Sequence, residues 1–370
     1  MLLKKILIIC TFGSLLLANN FFVDEDISIE NENIEIMPTF SWIIDRLDII
    51  FPDNCDLSTA ITREKLRNMI INGEDVTEVN TCKITNMSFL ISTYRARWEE
   101  DNLTNEQKSN IRNFNQDISR WDTSNVTDMS WMFANAKSFN QEINSWNVSC
   151  VTDMSRMFYN AYSFNQPLDS WNVSNVTNMS GMFNTAFRFN QFIGSWNVSN
   201  VTNMSTMFYY AKIFNQPIDS WCVSNVTNMS GMFGYARYFN QDIGSWDVSN
   251  VTNMHSMFRA NYKFNQPIDS WNVSCVTDMS MMFYEAVAFK QPIDSWDVSN
   301  VTNMGYMFYL SHFNQPLGSW NVSNVTNMNK MFFSAFNFNQ PIKCWDVSNV
   351  TSHCCFASHS ALQDENNPFI

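Results

Sequence analysis

The side chains suited to catalysis or metal binding are few and irregularly placed. Four histidines, His255, His312, His353 and His359, occupy no constant position of the chain's internal pattern. The densest cluster, His353, Cys354, Cys355 and His359, holds ligand types without the C-x-x-C spacing of a zinc site. It reads better as a degenerate turn. No G-x-S-x-G or H-E-x-x-H occurs, and the nine glycines form no phosphate-cradling loop. No catalytic residue, metal or cofactor is therefore expected. What recurs instead is Asn, Ser and Thr, whose amides and hydroxyls can bond turn backbone and one another, set among aromatic rings.

Those residues belong to a repeat. Trp121, Trp146, Trp171, Trp196, Trp221, Trp246, Trp271, Trp296, Trp320 and Trp345 stand 25 residues apart, with one interval of 24. Each lies in a near-copy of F-N-Q-P-I-D-S-W-N-V-S-N-V-T-N-M-S-x-M-F-x-x-A-x-x, numbered here 1 to 25 from the leading Phe, for instance Phe164. A fixed short period marks stacked units, none of which can bury its apolar face alone. The expected fold is an α/β repeat solenoid, a leucine-rich-repeat-like stack of about ten regular turns and a degenerate first turn. Each turn would hold one short strand and one short helix. The strand is expected around Ile218 to Val226. Thr227 would cap a helix whose apolar face is Met229, Met232, Phe233 and Ala236, at i, i+3, i+4, i+7. The constant Asn side chains would bond turn backbone and the equivalent Asn one turn away.

Departures from the pattern locate the ends. Residues 1–18 read as a secretory leader, with Lys4 and Lys5 before an apolar run from Ile6 to Ala18. An acidic segment follows over 19–60. Residues 61–113 read as a capping helix from Thr62 to Asn72 stopped by Gly73, a degenerate first turn (Val76, Val79, Ile84, Met87, Leu90, Ile91), and an inserted loop expected to protrude before Phe114. The array spans 114–357 and a tail 358–370. Nine cysteines in an exported chain invite pairing. Cys150 and Cys275 sit five turns apart, roughly 24 Å by strand spacing, too far to bridge. Cys55 with Cys82, and Cys344 with Cys354 or Cys355, remain open.

The net charge of -13 disfavours nucleic acid and anionic lipid as partners. With 45% hydrophobic and 15% aromatic residues the chain has ample material to bury. No later segment reaches membrane-spanning length.

The W-N-V-S-N-V-T-N-M-S-x-M-F and F-N-Q-P-I-D-S elements, repeated from Phe114 to about Ala357, resemble the BspA-like leucine-rich-repeat surface proteins of bacteria. The segment from Thr62 to Met87 is similar to that family's entry into its array. The resemblance implies a bacterial protein that is exported, secreted or displayed at the cell surface, with the periplasm as a further location. It also implies adhesion or engagement of host molecules, and it carries over no catalytic residue.

The variable positions give the functional expectation. Positions 18, 21, 22 and 25 would form a second helical stripe holding Arg156, Tyr159, Tyr209, Tyr210, Tyr235, Tyr238, Arg259, Lys263, Tyr284, Tyr306, Tyr309 and Lys330. Tyr and Arg are the residues that most often anchor interfaces. The expected function is non-enzymatic interaction with a macromolecule, a protein or host-surface component, through this ridge. The alternative is a structural or self-assembling surface component without a specific ligand.

Overall fold

The computed structural model describes residues 55–96 and 99–370. The leader 1–18 and nearly all of the acidic segment 19–60 lie outside the described residues. From Val76 onward the chain is a stack of turns joined by ten parallel bridges, from Asn86 to Asp128, Asp153, Asn178 and so on to Ser352. The protein is a repeat protein with a periodic aromatic interior.

The interior is built from three side-chain columns. Trp196, Trp221 and Trp246 lie face to face, with ring centroids 6.4 to 6.5 Å apart and planes within 4°. The Phe residues at position 20, from Phe133 to Phe332, follow one another at 5.4 to 5.9 Å. Those at position 1 form a parallel column, and Phe208 touches Phe214 at 4.0 Å. Offset stacking of this kind adds to the burial of large apolar area. Each indole of the position-8 column also needs an acceptor, and each finds one in the preceding turn: Trp221 Nε1 donates to the Ile193 carbonyl at 3.0 Å.

The expected helix is absent. Positions 16 to 23 alternate their amides between two directions. Met204, Thr206, Phe208 and Tyr210 donate to Asn228, Ser230, Met232 and Gly234 of the next turn at 2.7 to 3.0 Å. The amides between them, Met207, Tyr209 and Ala211, reach back three residues to Met204, Thr206 and Phe208. This requires left-handed backbone at positions 18 and 22, where φ runs from +49° to +68°. All nineteen non-glycine residues with positive φ among the described residues fall at these two positions. An i, i+3, i+4, i+7 apolar pattern suits a helix, but it also suits this zigzag, in which a neighbouring turn supplies acceptors that an isolated segment lacks. Left-handed backbone costs roughly 1 to 2 kcal/mol per residue. The inter-turn bonds and the buried rings offset it.

The expected strand is also absent where it was placed. Trp221 N bonds Ile218 O and Val226 N bonds Val223 O, so the segment is two tight turns. The ladder instead runs through positions 14 and 15, just after it. Thr227 N donates to Thr202 O at 2.9 Å, and Asn228 carries the bridge. Across the tight turns side chains link the layers. Asn225 Nδ2 donates to Ser199 O at 2.7 Å, and Gln241 Nε2 to Asn215 O at 3.0 Å. Asn240 N donates to Asn215 Oδ1, and Asn228 Oδ1 accepts the amide of Ser230. The constant Asn and Gln are therefore structural, since each satisfies backbone groups that the turns leave open.

The proximal end carries helix α1 (Arg63–Ile71), capped by the Thr62 hydroxyl and ended at Gly73 with φ +75°. Cys55 and Cys82 are joined by a disulfide. The insertion before Phe114 does not protrude as a loop. It holds a short antiparallel pair, β1 (Tyr94–Ala96) with β2 (Glu99–Glu100), and helix α2 (Asn105–Arg112), whose Thr104 and Gln107 form a capping box. Helix α2 buries Ile111 and packs on α1, with Asn110 Nδ2 donating to Ile71 O at 3.0 Å. Its apolar i positions were too few to register in the sequence, because one buried residue suffices for a two-turn helix. At the distal end the tail returns to the stack: Phe369 stacks on the His353 ring at 4.3 Å and meets Phe356 edge-on. Cys344, Cys354 and Cys355 are free thiols, so no second staple forms there.

Candidate interaction surface

Left-handed backbone at positions 18 and 22 turns their side chains outward, beside those of position 21. Along the stack these three positions make one face. Tyr210 and Tyr235 stack at 4.2 Å, and Tyr209 meets both edge-on at 5.1 and 5.4 Å. Tyr209 lies flat on the next turn, where a Cβ at Gly234 would come within 2.7 Å of its ring. Glycine there is what admits the ring. The Arg259 guanidinium sits over Tyr235 at 5.4 Å and over Tyr284 at 4.7 Å. Tyr284, Tyr309 and Phe333 continue the column at 4.6 and 5.1 Å, flanked by Lys330 over Tyr306 and Phe333. Such cation–π contacts fix cationic heads that would otherwise sample many rotamers.

A second cluster lies nearer the proximal cap. Arg156 sits over Trp131 at 5.1 Å, and Trp131 packs against Phe89, Tyr94 and Tyr159. The turn between the clusters has Gly181, Asn184 and Thr185 at the three outward positions, and no ring. The ridge is thus two aromatic patches separated by one polar turn.

Of the twelve expected ridge residues, ten join these clusters. Tyr238 and Lys263 do not: they are exposed, and among the described residues no ring or cation contact ties them to the column. The reason is the missing helix, since position 25 falls beside position 18 only at helical pitch. The same error hid a second belt at position 24. There Lys137 lies over Tyr162, Tyr162 stacks on Phe187 at 4.8 Å, and Lys212 covers Phe187 at 4.4 Å. Farther along, Arg237 covers Tyr262 at 5.4 Å. Trp131, Phe89, Tyr94 and Phe333 also extend the ridge. Trp131 was the detectable one, a tryptophan outside the 25-residue register.

Burial raises the phenol pKa of Tyr159, Tyr209, Tyr210 and Tyr284 above the usual tyrosine value. Their hydroxyls stay protonated and act as neutral donors and acceptors. Among the described residues no group of three or more His, Cys, Asp or Glu side chains is placed to hold a metal ion. Nor is any helix there long and apolar enough to cross a membrane.

A family described as "Mycoplasma protein of unknown function, DUF285" matches the chain three times, over residues 63–191, 185–292 and 261–367. The chain belongs to this family. The matches begin at α1 and run to the tail, so they take in the caps as well as the regular turns. No curated protein matches the chain. The family description assigns no activity, and the outward face remains the feature from which function can be argued.

Proposed function

We propose that this member of the family is a non-enzymatic, exported or surface-displayed protein. It would bind a macromolecule, a protein or a host-surface component, through the outward aromatic ridge. On this reading the turns form a solenoid of the leucine-rich-repeat type, related to the BspA-like surface proteins, with the ridge as its adhesive side. The observation that carries the reading is a contrast within the repeat. Interior positions vary little, while positions 18, 21 and 22 concentrate Tyr, Phe and Arg at half-buried sites beside the buried Trp131. Large amphipathic rings and guanidinium groups held in place lose little entropy on binding. The acidic net charge of -13 supports a partner other than nucleic acid.

The test is capture from host extracellular and bacterial surface fractions, comparing the native chain with a Tyr209→Ser, Tyr210→Ser, Tyr235→Ser variant. The variant should lose the captured macromolecule while keeping its cooperative unfolding transition. Equal capture by both proteins would end this reading.

A further inference from the structure

Each turn offers one row of backbone groups to each neighbour. Amides at positions 16, 18, 20 and 22 face the following turn, and carbonyls at 15, 17, 19 and 21 face the preceding one. Over positions 15 to 22 the two ends of the stack are therefore chemically opposite. The first turn leaves carbonyls, and three of them are taken by arginines from α1. Arg63 Nη2 donates to Ser88 O, while Arg67 donates to Leu90 O at 2.8 Å and to Ser92 O at 2.7 Å. Asp101 fixes Arg67 by an ion pair of 3.1 Å.

At the last turn the corresponding amides belong to His353, Cys355, Ala357 and His359. One turn earlier the row is full: Met328, Lys330, Phe332 and Ser334 donate to residues 352, 354, 356 and 358 at 2.7 to 3.0 Å. Among the described residues no protein acceptor meets the four amides of the last turn. The tail does not fill the row. It gives these amides no acceptor: Ala361 and Gln363 donate to Ala335 O and Asn339 Oδ1, the other bonded tail amides stay within the tail or reach Cys355 O and Ala357 O, and Phe369 covers ring surface. His353, Cys355 and His359 are exposed and Ala357 is half-buried.

We propose that this distal edge docks a peptide segment of another protein, laid parallel to residues 352–359 in the same zigzag as the stack's own turns, with a carbonyl at every second residue. Ten junctions within the stack are each closed by that group at that spacing, so the edge is pre-shaped for it. A second copy is the poorer occupant for a stated reason. Two distal edges would set N–H against N–H, and a distal edge meeting a proximal one would find its carbonyls held by Arg63 and Arg67. An unpaired edge is otherwise a liability that chains cover or blunt.

The probe is a synthetic peptide with the sequence of residues 325–337, the turn unit itself, added to the full chain and followed by amide hydrogen exchange. The amides of Cys355, Ala357 and His359 should exchange freely alone and slow with saturable dependence on peptide. Ala357→Pro deletes a donor that has no acceptor among the described residues. It should weaken binding at least about fivefold while the Lys330, Phe332 and Ser334 amides keep their protection. Exchange on the unaltered chain decides the matter even if that variant loosens the last turn. Peptide that leaves this row unprotected, or protects the outward ridge instead, overturns the proposal. So does protection that appears without peptide as concentration and particle mass rise together, which would make a second copy the occupant.

Discussion

Position 8 and position 18 of the same turn follow different rules. Position 8 is Trp in every regular turn, buried and hydrogen-bonded. Position 18 holds Trp131, Arg156, Gly181, Thr206, Gly231, Ser256, Met281, Tyr306, Lys330 and Cys355, yet every one has φ between +50° and +63°. A β-branched threonine in that region is held there by its surroundings, not by its own preference. The backbone at position 18 is imposed by the turn on either side, through Gly181 N to Ser205 O and Thr206 N to Ser230 O. Once the lattice dictates the dihedral, the side chain is free to vary. That freedom is what lets a uniform stack carry a differentiated face.

Removing an interior ring should have the largest effect. Trp221→Ala deletes a ring between Trp196 and Trp246 and a buried hydrogen bond. A loss of about 3 to 5 kcal/mol is expected from the shift of the urea unfolding midpoint. A loss below about 1 kcal/mol would erase the distinction between inner and outer positions. Thr206→Gly probes the outer rule with the opposite sign. Gly181 and Gly231 already occupy this position one turn either way, each at φ +63°. Relief of left-handed strain exceeds the added chain entropy, so a gain of about 0.5 kcal/mol is expected. A loss larger than about 1 kcal/mol would show that the side chain, not the lattice, holds the turn.

The smallest effect tests a polar insertion at position 17. His255 bonds Ser280 Oγ at 2.7 Å and Ser256 Oγ at 3.0 Å. Burial lowers its pKa, with Asp278 opposing and Arg259 assisting. The unfolded chain then takes up this proton at a higher pH than the folded one. Stability is full above the ordinary histidine range and falls as pH drops through about 6.5. Comparing unfolding midpoints at pH 7.5 and 5.5, His255→Gln should show a smaller acid loss than the native chain. An unchanged difference would assign the loss to other groups.

Much of the stack was legible one residue at a time. The tryptophan interval, the buried set at positions 1, 5, 8, 10, 13, 16, 19, 20 and 23, and the helix between Thr62 and Gly73 all follow from burial preference and capping chemistry. Even the left-handed positions had a faint signal, with Gly181 and Gly231 at position 18 and Asn135 and Asn160 at position 22. These are the residue types that tolerate it best.

By its own residues the chain determined that it would repeat, which rings would go inside, and where regular turns would stop. Tertiary structure alone decided that those turns would be zigzags instead of helices, that position 24 would gain a belt of its own, and that Arg63 and Arg67 would take up carbonyls at one end while the amide row at the other meets no acceptor among the described residues. The physical reason is where the partners lie. Burial and capping depend on neighbours a few residues away, whereas each amide at positions 16 to 22 chooses between an acceptor three residues back and one in the next turn, and only the assembled stack supplies the second.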